Sequence, residues 1–249
     1  MIKLINLELE RNKIRSYIVA SFLILIFGFG FCFLTAYIPQ IEQSQQMIQI
    51  RGGVSLPTDL SMFSQWNNFI SLISILFVAA FGVLSAIMHA KFTVEEYTGK
   101  RAILLFSYPI KRSKILFAKC SFVFFFIAIA VSICNIVAIS MFAFLSNTFH
   151  ILPNMFTGEM WPNLLFTTGV SALLAASIGL IAMRIGFWRK SLVATVVTSF
   201  LLIIPFGNMM SFVPENSLQI RLIGMVVLLV LGLVVFMELL SKVNKMEAL

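Results

Sequence analysis

Charge is what this chain has least of. Only 11% of its 249 residues are Asp, Glu, Lys or Arg, and 60% are apolar. A soluble domain sits near ~25% and ~45–50%. A core of this size does not hide that much apolar surface from water, so the solvent for most of the chain is lipid. A soluble enzyme, a disordered chain and a secreted disulfide scaffold are thereby excluded. Cysteine is also scarce: Cys32, Cys120 and Cys134 are odd in number and lie in apolar stretches, as small buried hydrophobes do. The two histidines, His89 and His150, are far apart, and no Cys/His/Asp/Glu cluster has metal-ligand spacing. No nucleophile–base–acid constellation supports hydrolysis within the membrane. The phosphate-cradling pattern G-x-x-x-x-G-K-[ST] is missing, since Gly99-Lys100 is followed by Arg101 and lacks the upstream glycine. The basic excess of +8 is not a nucleic-acid signature here, because in a membrane protein it first reports sidedness.

What is present is long apolar runs. Six reach the ~20 residues a spanning helix needs: 17–38, 69–90, 115–145, 164–182, 191–212 and 222–240. Each is too long for a buried strand, and none alternates as a barrel strand does. The expected fold is an all-α membrane protein with six transmembrane helices in a single domain, 1–249. The first run exceeds the ~7–15 residues of a signal-peptide core, so it reads as an uncleaved helix. Six spans put both termini on one side. That side collects sixteen of the eighteen Lys and Arg residues, leaving Arg51 and Arg221 opposite. Its net charge is +10 against −2 for the other side. By the positive-inside rule both termini are cytoplasmic, and the expected location is a bacterial cytoplasmic membrane.

No charge sits in the middle of a span, which leaves a proton or ion relay little to work with. Ser132 and Asn135, one turn apart in the third run, are the clearest polar candidates there, for a transport path or for interhelical packing. Ser171, Ala172, Ala175, Ala176 and Gly179 form a small-residue face on the fourth run, suited to close helix packing or a dimer seam. The segment 39–68 is polar and Gln-rich, while 146–163 is aromatic and broken by Pro153 and Pro162, as an interfacial segment is. Pro205, Gly207 and Pro214 interrupt the apolar run near the fifth span, as a kink with a short loop or as a re-entrant turn. The first sixteen residues read as a helix with two narrow apolar stripes, either lying at the interface or serving as a basic flank.

The segment 91–114 carries the most information. Glu95 and Glu96 come first, then Lys100 and Arg101, then the apolar cluster Ile103, Leu104, Leu105 and Phe106. Pro109 stops any helix. The basic run Lys111, Arg112 and Lys114 suits the anionic lipids of the inner leaflet. An apolar patch in such a loop needs cover. The string Glu95, Glu96, Lys100, Ser107, Tyr108, Pro109, Ile110, Arg112, Ile115, Leu116 and Lys119 resembles a loop in the membrane subunits of type-2 ABC exporters. The resemblance covers about 25 residues in motif and the whole chain in topology. It implies an N-terminal interfacial connecting helix and a cytoplasmic coupling helix between spans two and three. That helix would dock on a cytosolic ATPase through Glu95, Glu96 and the patch beside them. It also implies a second permease subunit, identical or paralogous, and two ATPase copies that carry ATP and Mg, with no cofactor on this chain. Amphipathic or antimicrobial peptides and small apolar toxins are the cargoes such exporters carry. A membrane immunity or sensor subunit that binds a peptide without pumping it is the alternative reading, and a secondary transporter is a third.

Overall fold

A computed structural model describes residues 14–49, 65–98, 112–211 and 218–243. Every regular element among them is helical. In lipid no water is available to the backbone, so an apolar chain must satisfy each N–H and C=O within its own helix. The long elements are α1 (Ile14–Gln49), α2 (Trp66–His89), α4 (Arg112–Phe149), α5 (Trp161–Arg189), α6 (Leu192–Ser211) and α7 (Leu218–Val243). Past His89 the chain runs through a π-helical turn, Ala90–Val94, into a short helix α3, Glu95–Thr98.

Five helices are long and apolar enough to cross a membrane. They correspond to the expected runs one, two, three, four and six. The fifth expected run, 191–212, does form a helix, but its apolar stretch among the described residues, Leu192–Pro205, is shorter than the other five. Pro205 lies inside α6, and the helix continues past it to Ser211. A turn at Pro205 is therefore replaced by a helix that tolerates proline, as helices in lipid do. Residues 212–217, with Pro214, lie outside the described residues.

Several helices outrun their apolar cores. α1 continues past Pro39 to Gln49, so the polar stretch expected to begin the loop is helical in its first eleven residues. Gln, Glu, Met and Ile are all competent helix formers, and polarity alone does not end a helix. At 38 residues α4 is about 57 Å long at ~1.5 Å per residue, well beyond the ~30 Å hydrocarbon core. The expected helix over the first sixteen residues falls mostly outside the described region; from Ile14 onward those residues belong to α1.

Helix ends obey local chemistry. α5 opens on Trp161-Pro162, where the missing proline N–H costs nothing. It closes at Lys190 in the left-handed conformation (φ 49°), whose N–H reaches back to Gly186 O. Ser191 then starts α6, its hydroxyl accepting the Ala194 N–H at 3.4 Å. The α5–α6 connection is thus two residues long, which holds the two helices side by side.

α5 is the axis of the bundle. Its face of Ser171, Ala172, Ala175, Ala176 and Gly179 is buried, as are Ala182, Met183 and Gly186. That face is spent on packing within the chain and is not left as a seam for a second copy. A Cβ at Gly179 would lie 1.9 Å from Ser85 Oγ on α2, and one at Gly186 would lie 1.9 Å from Thr195 Oγ1 on α6. Each glycine is a notch that admits a hydroxyl from the neighbouring helix. α1 and α7 are peripheral, and α1 presents Phe22, Leu23, Ile26, Phe27 and Leu34 outward, as lipid-facing residues are.

The two ends of the bundle differ. At one, Phe142 stacks on Phe69 with centroids 4.9 Å apart, and Trp66 meets Phe156 edge-on at 5.0 Å. Trp66 Nε1 donates to Asn154 O at 2.8 Å, and Asn147 both donates to and accepts from the Phe156 backbone. This is the aromatic end. At the other lie Lys91, Lys114, Lys119, Arg184, Arg189 and Lys190, the basic end.

Candidate functional site

The basic end holds the part of the motif that the structure describes. The π-helical turn is the local cause of its geometry. In a π turn the hydrogen bond spans five residues, and here the Glu95 N–H reaches Ala90 O. The extra residue per turn rotates α3 relative to a continuous α-helix. Glu96 faces inward as a result and is 6% exposed. Lys119, two turns into α4, is 2% exposed. Its ammonium forms an ion pair with Glu96 Oε2 and donates to Phe92 O at 3.1 Å. Residues 23 apart in sequence, the second and the last of the quoted string, are thus bonded inside the protein.

The pair is closely walled. Tyr17 of α1 meets Phe92 edge-on at 5.2 Å, and Val94 lies against Gly186 of α5. Ile115, Leu116, Cys120, Leu180, Met183, Phe187 and Leu239 complete an apolar cluster with Val94. A charge pair in such surroundings is held by its own geometry, because either partner alone would be an uncompensated buried charge.

The structure therefore gives Glu96 a partner within the chain. Of the two acidic residues expected on a docking surface, Glu95 is the one that keeps partial exposure. Lys114 is exposed, and Arg112 opens α4. Lys100, Arg101, Ile103, Leu104, Leu105, Phe106 and Lys111 lie outside the described residues. In the sequence Lys119 stands near the start of the third apolar run and closes the quoted string, with no partner indicated. The signal for its real role is its spacing, seven residues past Arg112, which carries it above the helix start into apolar surroundings.

The polar candidates in the third run separate. Asn135 is fully buried and donates to Ser74 Oγ on α2 at 2.9 Å and to Thr168 Oγ1 on α5 at 3.2 Å. It ties three helices together. Ser132 is half-buried and bonds its own helix at Ala128 O, 2.8 Å away, so the two do not form one site. Sequence reasoning passed over Ser85 and weighed His89 only as a metal ligand; the two are one turn apart on α2 and both fully buried. Neither Ser85 Oγ nor either His89 ring nitrogen has a hydrogen-bond partner among the described residues. No group of three or more His, Cys, Asp or Glu side chains with metal-binding geometry occurs among the described residues.

No family model matches the chain, and no solved structure matches it. The chain is similar to the uncharacterized protein YcbO of Bacillus subtilis (strain 168), 27% identical over 200 residues, which cover 80% of this chain and 81% of that protein.

Proposed function

We propose that this chain is the membrane-spanning permease subunit of an ATP-driven type-2 ABC exporter, with both termini in the cytoplasm and the basic end facing it. In this reading α6 is the fifth of six spans, and the segment 91–114 carries the coupling helix that docks on a cytosolic ATPase. Two permease subunits, identical or paralogous, work with two ATPase copies that bind ATP and Mg and do the hydrolysis. The cargo is an amphipathic or antimicrobial peptide or a small apolar toxin.

The observation that carries the reading is the buried Glu96–Lys119 pair. It supports a docking role because it fixes both stems of the segment to the bundle, so a push on the segment reaches α2 and α4 without slack. With Glu96 neutralised by Lys119, residues 95–114 carry Glu95 against Lys100, Arg101, Lys111, Arg112 and Lys114. The matching surface of the motor is accordingly mostly acidic, with a basic group opposite Glu95, around an apolar socket for Ile103, Leu104, Leu105 and Phe106.

The deciding experiment is co-purification of the tagged chain with a candidate ABC ATPase subunit co-expressed with it, comparing wild type with Leu105→Asp and with Glu95→Ala. Leu105→Asp abolishes capture of the ATPase, because it buries a charge in an apolar contact. Glu95→Ala weakens capture and leaves the fold intact. Full capture by Leu105→Asp removes the docking assignment. Cargo-stimulated ATP hydrolysis in proteoliposomes across candidate peptides then identifies what is exported.

A further inference from the structure

Where α5 turns into α6, three successive side chains stand out from the basic end. Trp188 is 73% exposed, more than any other large apolar side chain among the described residues. The Arg189 guanidinium lies over its ring, 5.8 Å from the centroid. Lys190 follows, exposed and in the left-handed conformation, a place that glycine takes at lower cost. Lys119 and Arg184, also at this end, are each held by a carboxylate of the chain. Arg189 and Lys190 are exposed and have no acidic partner among the described residues. A guanidinium resting on an indole keeps its charge and the N–H donors along its edge for an anion.

Directly after these residues α6 turns one apolar stripe outward. Val193, Val197, Phe200, Leu201 and Ile204 are each more than half exposed and recur at intervals of three and four residues. From Val193 to Ile204 the helix rises about 17 Å at ~1.5 Å per residue. One leaflet's share of a ~30 Å hydrocarbon core is ~15 Å. The stripe is therefore as deep as one leaflet, and its outer end is where Arg189 and Lys190 stand. Trp188 suits the same level, because indoles settle at the boundary between membrane and water. Two cations above an apolar face of this depth match one kind of molecule on both counts: acyl chains for the stripe and an anionic headgroup for the cations. A soluble acidic partner would meet the cations and leave the stripe uncovered.

We infer that the α5–α6 corner is a binding site for an anionic phospholipid. Arg189 and Lys190 hold its phosphate, and its acyl chains lie along α6 from Val193 toward Ile204. Trp188 flanks the headgroup. The site needs only a chain that lies in a bilayer, so it does not depend on an ATPase or on export.

Quenching of tryptophan fluorescence by brominated lipids tests it, on the full-length chain in vesicles. Trp66→Phe with Trp161→Phe leaves Trp188 as the single reporter at the corner. Trp66→Phe with Trp188→Phe leaves Trp161, which packs on Phe156 at the aromatic end. Brominated phosphatidylglycerol, which is anionic, competes with phosphatidylcholine, which is zwitterionic, and the quenching gives their relative binding constant. Trp188 reports a preference for the anionic lipid of at least about fivefold, the share of one basic residue near an anionic surface. Trp161 reports none. Arg189→Gln with Lys190→Gln brings the preference at Trp188 close to one. Lys91→Gln with Lys114→Gln, which removes two exposed cations elsewhere at the same end, leaves it in place. Equal affinity for the two lipids at Trp188 overturns the site and leaves its cations to a soluble acidic partner. A preference that survives Arg189→Gln with Lys190→Gln, that falls as far with Lys91→Gln and Lys114→Gln, or that is as large at Trp161 overturns it as well. No arm uses an ATPase or the segment 91–114 as a docking surface, so failure here is separate from failure of the docking experiment.

Discussion

Removing one partner of the Glu96–Lys119 pair is the most informative perturbation of this fold. The two side chains are 7% and 1% exposed, so water does little to screen either charge. In Glu96→Ala the Lys119 ammonium keeps the Phe92 carbonyl as acceptor but loses its counter-charge. Breaking a buried pair in this way costs about 3–5 kcal/mol. Lys119→Ala strands the Glu96 carboxylate and costs a similar amount. Replacing both with Met is close to neutral or stabilising by about 1–4 kcal/mol, because two desolvation penalties vanish and the volume is kept. The assay is equilibrium unfolding in mixed micelles, monitored by Trp fluorescence from Trp66, Trp161 and Trp188. The expected result is two strongly destabilised single variants and a double variant near wild type, a coupling of several kcal/mol in the cycle. Single variants that each lose less than about 1 kcal/mol would mean that the pair is solvated as a surface pair is, and the inward turn of Glu96 would be refuted.

Gly179→Ala brings a methyl within 1.9 Å of Ser85 Oγ and 2.7 Å of Ser85 Cβ, and overpacking of this kind costs about 1–3 kcal/mol. Adding Ser85→Ala recovers only part of that, since the Cβ clash stays; unfolding midpoints of the two variants check it. Trp66→Phe keeps most of the ring packing and loses the bond to Asn154 O, about 1 kcal/mol, whereas Trp66→Ala opens the aromatic end and costs about 3–5 kcal/mol, both read from the same unfolding curves. Arg184→Ala removes a pair whose side chains are 22% and 53% exposed, and it costs no more than about 1 kcal/mol, decreasing with added salt.

The rough places of the long helices were legible because lipid imposes a one-dimensional rule. A backbone without water folds into a helix wherever an apolar run is long enough, and no knowledge of neighbours is required. The same rule is blind at the ends. Gln40–Gln49 continues α1 and Pro205 sits within α6, since helix propensity and neighbouring helices decide those positions and hydropathy does not. Asn135 was legible as a buried polar residue because a lone amide in an apolar run has no other place. Its partners Ser74 and Thr168 were not, because they come from two other helices.

Sequence alone determined that this is a helical membrane protein, with its cations gathered toward one end and a charged, Pro-broken segment between the second and third apolar runs. Those properties are sums over local stretches, and each stretch carries its own signal. Tertiary structure decided which charges are surface and which are core. Glu95 and Glu96 are adjacent and chemically alike, yet the π-helical turn before them rotates Glu96 inward onto Lys119, 23 residues away, and leaves Glu95 partly exposed. It also placed the small residues of α5 against Ser85 and Thr195, so a stripe that reads equally well as a dimer seam became the packing axis of one chain. Which face meets which neighbour depends on the rotation of whole helices about their axes, and no single segment of sequence contains that quantity.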